Sequence, residues 1–161
     1  MNRGGESMST SIAKVLSWFL GILMFMFGFL KFFQPFYGWF NVQIQQSHLP
    51  HSAILMGKLG EMATGTLFLL SRLWRSLPGR SRANVALTAC FGLVVEMLVA
   101  IYVHLQPQVP AAALPLGIKP PVIPLFVLVL GVIAAAAVWR EARTEAAINQ
   151  RVGIRNEKLI R

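Results

Sequence analysis

Aspartate is missing from this chain altogether. Six glutamates carry all the acidic side-chain charge, and charged residues of both signs amount to only 13% of 161 residues. Soluble domains carry nearer a quarter, so an ordinary water-facing surface is excluded. Cysteine occurs once, as Cys90, which rules out an internal disulfide and leaves the redox compartment unread. Set inside an apolar run, it reads as a small buried hydrophobe. No nucleophile motif, phosphate loop or haem-attachment motif is present. His48 and His51 form an H-x-x-H around Pro50 with no evident third ligand, so no metal site is expected.

What the chain has instead is long apolar runs, with 55% hydrophobic residues and a mean hydropathy of +0.59. Four are long enough to cross a hydrocarbon core of about 30 Å at about 1.5 Å per helical residue. They run over residues 15–33, 53–74, 84–105 and 121–139. The expected fold is all-α, a polytopic membrane four-helix bundle forming one membrane domain over 1–161. The opening MNRGGESMSTSIAK resembles the start of a signal peptide. The apolar run behind it lasts about twenty residues without a small-residue cleavage site, so it reads as a retained span.

Fifteen Lys and Arg give a net charge of +9. In a soluble protein such an excess would suggest nucleic acid; here the basic residues flank apolar runs, and no nucleic-acid partner is expected. Arg3 and Lys14 precede the first span, Arg72, Arg75, Arg80 and Arg82 crowd the turn between spans two and three, and Arg140, Arg143, Arg151, Arg155, Lys158 and Arg161 follow span four. The other two connections hold only Lys119. The bias puts both termini in the cytoplasm. The first outer connection, QPFYGWFNVQIQQSHLPHS, is aromatic and is expected along the outer membrane surface. The second, QPQVPAAALPLGIKPP, is broken by prolines and reads as an irregular loop. The tail beyond Arg140 has helical spacing and mixed charge, as if helix four continued into water, and its basic residues suit an anionic inner leaflet. No internal repeat is evident beyond two helical hairpins, and the only low-complexity tract is the four alanines 134–137.

Charged side chains within spans are candidates for function by default. Four occur, Lys31, Lys58, Glu61 and Glu96, with His104 near the outer edge of span three. All fall in the outer half or at the centre of the bilayer. Gly57, Glu61 and Gly65 share one stripe of span two, Thr88, Gly92, Glu96 and Ala100 one stripe of span three, and Gly21, Gly28 and Lys31 one face of span one. Small residues allow close helix approach, which places the charges on contact faces. Structural roles compete with a binding role. Lys31 could snorkel to the headgroups, and Lys58 with Glu61 could be a plain i,i+3 ion pair. Glu96, with no cation on its own helix, must meet a lysine across the bundle or hold a proton. His104 could be a satisfied interfacial residue.

"FGFLKFF" ending span one, "GKLGEMATGTLFLL" in span two and "MLVAIYVHL" ending span three resemble the DoxX-like membrane proteins over about residues 12–140. The resemblance implies a four-helix bundle with a G-x-x-K at Gly28 to Lys31, a glutamate beside small residues at Glu61, and an A-x-x-x-H at Ala100 to His104. Lys58 and Glu96 have no match in the family pattern, and the first outer connection is unusually aromatic. The family's functions are diverse: a membrane subunit of thiosulfate:quinone oxidoreductase, partners in bacterial oxidant resistance, and an animal chaperone for acetylcholine-receptor assembly. The expected role is an accessory or assembly subunit of a larger membrane complex, in the lipid bilayer of a bacterial inner membrane beside other membrane subunits. The alternative is a quinone-type ligand held by Lys31, Lys58, Glu61, Glu96 and His104, with redox chemistry supplied by a partner oxidoreductase. No cofactor is encoded, and an enzyme acting alone is not expected. A proton or ion pathway is a weaker third reading, because the inner halves of the spans carry no polar relay.

Overall fold

The computed structural model describes residues 3–74, 76 and 78–160, and the side chains of 11–74, 76 and 78–150. The side chains of Arg3, Arg75, Arg151, Arg155, Lys158 and Arg161, on which part of the charge bias rests, lie outside the described set. The elements are α1 (Arg3–Leu30), α2 (Phe36–Gln46), α3 (Ser52–Leu73), α4 (Gly79–Leu105), two short 3-10 turns (Ala111–Ala113 and Pro115–Gly117) and α5 (Val122–Ile160). No strand occurs among the described residues.

Four helices are long and apolar enough to cross a membrane: 11–30, 52–73, 79–105 and 122–150. The protein is an all-α integral membrane protein. Its outward faces carry exposed Phe19, Ile22, Leu59, Phe91, Leu98 and Val129, side chains that hydrocarbon solvates as well as a protein core does.

Several boundaries differ from those the sequence suggests. The first helix stops at Leu30, so Lys31, Phe32 and Phe33 lie in a turn rather than in a span. Helix α4 starts five residues early, at Gly79, because Pro78 supplies an N-cap that needs no amide donor. Helix α5 runs past residue 139 to Ile160, the continuation that the tail's helical spacing implies. The aromatic connection between the first two spans folds as a helix, α2, entered through Pro35 and anchored by buried Phe40 and Ile44. The turn from α2 to α3 accounts for the two loop histidines. His48 takes a left-handed backbone (φ 57°) just past the C-cap of α2, and His51 is the N-cap of α3.

The spans pack antiparallel along the chain. A Cβ on Gly65 of α3 would fall 2.4 Å from the Phe25 amide nitrogen and 2.7 Å from the Gly21 carbonyl of α1, so the two backbones touch there. A Cβ on Gly28 would lie 2.8 Å from the Lys58 carbonyl. Without a hydrophobic force between helices in lipid, this closeness gives van der Waals contact. Leu20, Met24, Phe68, Leu93, Met97 and Val127 fill the centre. Ala13, Ala86, Ala137 and Val138 close one end, called here the basic end because Lys14, Arg72, Arg80, Arg82, Arg140 and Arg143 surround it. Val103, Val109, Leu114 and Leu49 close the other, the loop end.

The proline-rich second connection is more ordered than an irregular loop. Gln43 of α2 donates to the Ala113 carbonyl, and Lys119 donates to the carbonyls of Gln106 and Val109. Tyr102 of α4 donates to the Ser47 carbonyl at 3.2 Å. These bonds satisfy backbone acceptors that the prolines leave without ladder partners, and they tie α2 to the loop end.

Candidate intramembrane binding site

Helix α3 presents its polar residues as an arc. At about 100° per residue, Lys58, Glu61, Thr64 and Gly60 follow one another around roughly half the helix. The arc faces α1 and α2 on one side and α4 on the other. Depth follows from the rise of about 1.5 Å per residue: Lys58 is one to two turns inside the loop end, Glu61 one turn deeper and Thr64 deeper again.

At the centre of the arc, Lys31 donates to Glu61 Oε1. Both side chains are largely sequestered, with exposures of 17% and 13%. Lys31 is therefore an inward ion-pair partner and does not snorkel. The close approach at Gly28 carries the end of α1 against α3, which delivers the turn residue Lys31 to Glu61. The i,i+3 pair that the sequence allowed between Lys58 and Glu61 is not made. Lys58, only 4% exposed, meets aromatic faces instead, with its ammonium 4.2 Å from the Tyr37 ring centroid and 5.1 Å from that of Phe32. Lys31 also sits under a ring, 4.1 Å from the Phe40 centroid. Such cation–π contacts are worth about 2 kcal/mol when desolvated.

On the other side of the arc, Thr64 donates to Glu96 Oε1 of α4 at 2.9 Å. Gly60 and Gly92 make room. A Cβ on Gly60 would stand 3.0 Å from Glu96 Oε1, and one on Gly92 would stand 2.7 Å from Thr64 Oγ1. Glu96 lies within electrostatic range of both Glu61 and Lys31, but makes no ion pair with either lysine.

Each carboxylate is thus half satisfied. Glu61 Oε2 and Glu96 Oε2 are buried with no hydrogen-bond partner, as is Asn41 Oδ1 on α2. Buried polar atoms are nearly always bonded. Three orphan acceptors on α2, α3 and α4 therefore give the loop half of the bundle an unused capacity to accept hydrogen bonds.

Of the five residues the sequence singles out, Lys31, Glu61 and Glu96 are brought together and Lys58 adjoins them under the aromatic residues. His104 stands apart. It is buried (5% exposed), its Nδ1–H donates to the Ala100 carbonyl at 2.8 Å, and it lies about 12 Å along α4 from Glu96. The A-x-x-x-H spacing is that of an i−4 backbone bond. Sequence reading missed Thr64, Phe32, Tyr37, Phe40 and Asn41. Thr64 could have been found from its i+3 spacing to Glu61; Tyr37 and Phe40 reach the lysines because α2 is a helix, and Phe32 reaches Lys58 from the turn before it. No group of three or more His, Cys, Asp or Glu that could hold a metal occurs among the described residues.

Comparison with protein-family models, with curated proteins and with solved structures finds no match for this chain.

Proposed function

We propose that the protein binds the polar head of a lipid-soluble ligand of the quinone type in the loop half of its bundle, and works with a partner oxidoreductase. The observation that carries this reading is the pair of half-satisfied carboxylates, Glu61 and Glu96, whose free oxygens are buried acceptors. A hydroxyl-bearing ring offers the donors they lack, and its apolar tail is at home between lipid-facing helices. Lys31 and Thr64 fix the two carboxylates in place, and a carboxylate beside a bound hydroxyl can exchange protons with it.

A second reading, an accessory or assembly subunit of a larger membrane complex, is favoured by α2. Its Phe36, Tyr37 and Trp39 are each about two-fifths exposed at the loop end, an aromatic edge suited to another subunit. The resemblance to the DoxX-like proteins agrees with either reading. On the positive-inside bias we place the basic end, with both termini, in the cytoplasm, and we propose a bacterial inner membrane as the bilayer.

The test is purification in mild detergent followed by solvent extraction, with binding of an added quinol measured for the wild type and for Glu96→Gln. Retention by the wild type and loss in the folded variant support the ligand reading. Recovery only with protein partners, and no quinol binding, replaces it with the subunit reading.

A further inference from the structure

The basic end holds more positive charge than the fold consumes. Its two described acids are both engaged within the bundle. Glu141 takes a bidentate contact from Arg72 (3.1–3.3 Å), and Glu145 lies 3.6 Å from Arg82. Lys14, Arg80, Arg140 and Arg143 are exposed and make no ion pair among the described residues.

One of these cations is held in a particular way. The Arg143 guanidinium lies over the Trp139 ring, with Cζ 4.8 Å from the ring centroid. A cation over an aromatic face keeps its hydrogen-bond donors, and the Arg143 side chain makes no hydrogen bond or ion pair among the described residues, so its guanidinium can meet a planar or tetrahedral anion. Trp139 is half exposed, and below it on the same side of α5 come Ala136, Val132, Val129 and Leu125, all exposed. The spacing of four, three, four, three and four residues puts Leu125, Val129, Val132, Ala136, Trp139 and Arg143 on one stripe. Read along the helix, the stripe is apolar for several turns, then indole, then guanidinium, with Arg140 alongside. Alanine at 136 leaves a notch between Val132 and Trp139.

We propose that this stripe is a binding site for an anionic phospholipid. Arg143 and Arg140 receive the phosphate, Trp139 packs at the glycerol level, and an acyl chain lies along Ala136, Val132 and Val129. A soluble anion would use only the top of such a stripe, and a zwitterionic lipid would gain little from two uncompensated arginines. The site lies at the opposite end of the bundle from the carboxylates, and its existence is independent of the proposed ligand there.

The experiment measures binding of labelled phosphatidylglycerol and phosphatidylcholine to the purified full chain, for the wild type, Arg143→Gln and Arg140→Gln/Arg143→Gln. Size-exclusion profile and helical circular dichroism serve as controls for folding. Both arginines are exposed and unpaired, so the variants are expected to fold as the wild type does. The wild type should prefer phosphatidylglycerol, losing about fivefold in affinity per arginine removed, and the preference should shrink at high salt. Equal binding of the two lipids by the wild type, or an unchanged preference in the double variant, overturns the site. Competition by inorganic phosphate as strong as that by phosphatidylglycerol overturns its assignment to lipid. Removing the ring tests the geometry: Trp139→Phe should retain most of the preference and Trp139→Ala should reduce it.

Discussion

Thr64 on α3 donates a hydrogen bond from its hydroxyl to Glu96 on α4 across the contact that Gly60 and Gly92 open, at an Oγ1 to Oε1 distance of 2.9 Å. One carboxylate oxygen is thereby fixed and the other left over. In Glu96→Gln the carbonyl oxygen can still accept from Thr64, so the fold should survive while ligand retention falls. Thr64→Val removes the donor and strands a second acceptor, at a cost of about 1–3 kcal/mol. Thermal melting in detergent beside a quinol-binding assay checks both. Full binding by folded Glu96→Gln would end the ligand reading.

Glu61 and Lys31 should behave as a coupled pair. Removing one partner of a buried ion pair costs about 3–5 kcal/mol, whereas replacing both by apolar groups is often neutral or stabilising. Glu61→Gln alone should lower stability, and Glu61→Leu/Lys31→Met should recover most of the loss. Some of the single-variant cost is relieved by the Phe40 ring, which still faces the Lys31 ammonium. A double-mutant cycle from melting curves measures the coupling; additive effects would show that the pair is energetically idle.

Glu141 and Glu145 of α5 should differ in weight. Arg72 and Glu141 are 13% and 14% exposed, whereas Arg82 and Glu145 are 38% and 40% exposed. The exposed pair contributes less than about 1 kcal/mol. Truncation after Thr144, which removes Glu145 and keeps Glu141, should therefore leave a detergent-stable bundle. Glu141→Gln should destabilise by several times more, because Arg72 already has a buried Nε without a partner. A truncated chain that aggregates in detergent would show that residues beyond 144 hold the bundle together.

Orientation is open to direct labelling. With Cys90 replaced by alanine, a cysteine at exposed Ser76 should react with a membrane-impermeant maleimide only in inside-out vesicles. One at exposed Gln45 should react only in right-side-out vesicles. The opposite pattern would invert the assigned topology and move the carboxylates to the cytoplasmic half.

The spans are legible from sequence alone, because an apolar window is a local property and a continuous apolar run of about twenty residues crosses lipid as a helix. The contact faces are legible too. Gly28, Gly65 and Gly92 recur at helical spacing, and each receives a neighbouring helix where a side chain would collide. That Lys31, Glu61 and Glu96 fall in one half of the bundle follows from their distances to the span ends. Which charges meet does not. Lys58 is three residues from Glu61, yet Glu61 bonds to Lys31, thirty residues away. The antiparallel contact of α1 with α3 delivers one ammonium to the carboxylate, while α2 covers the other with Tyr37. Pairing depends on where two backbones pack and where an aromatic segment folds back, and both are settled by contacts between distant residues. The half-satisfied state of Glu61 and Glu96 is of the same kind: the sequence supplies the carboxylates, and only the packed bundle decides which of their oxygens are left without a donor.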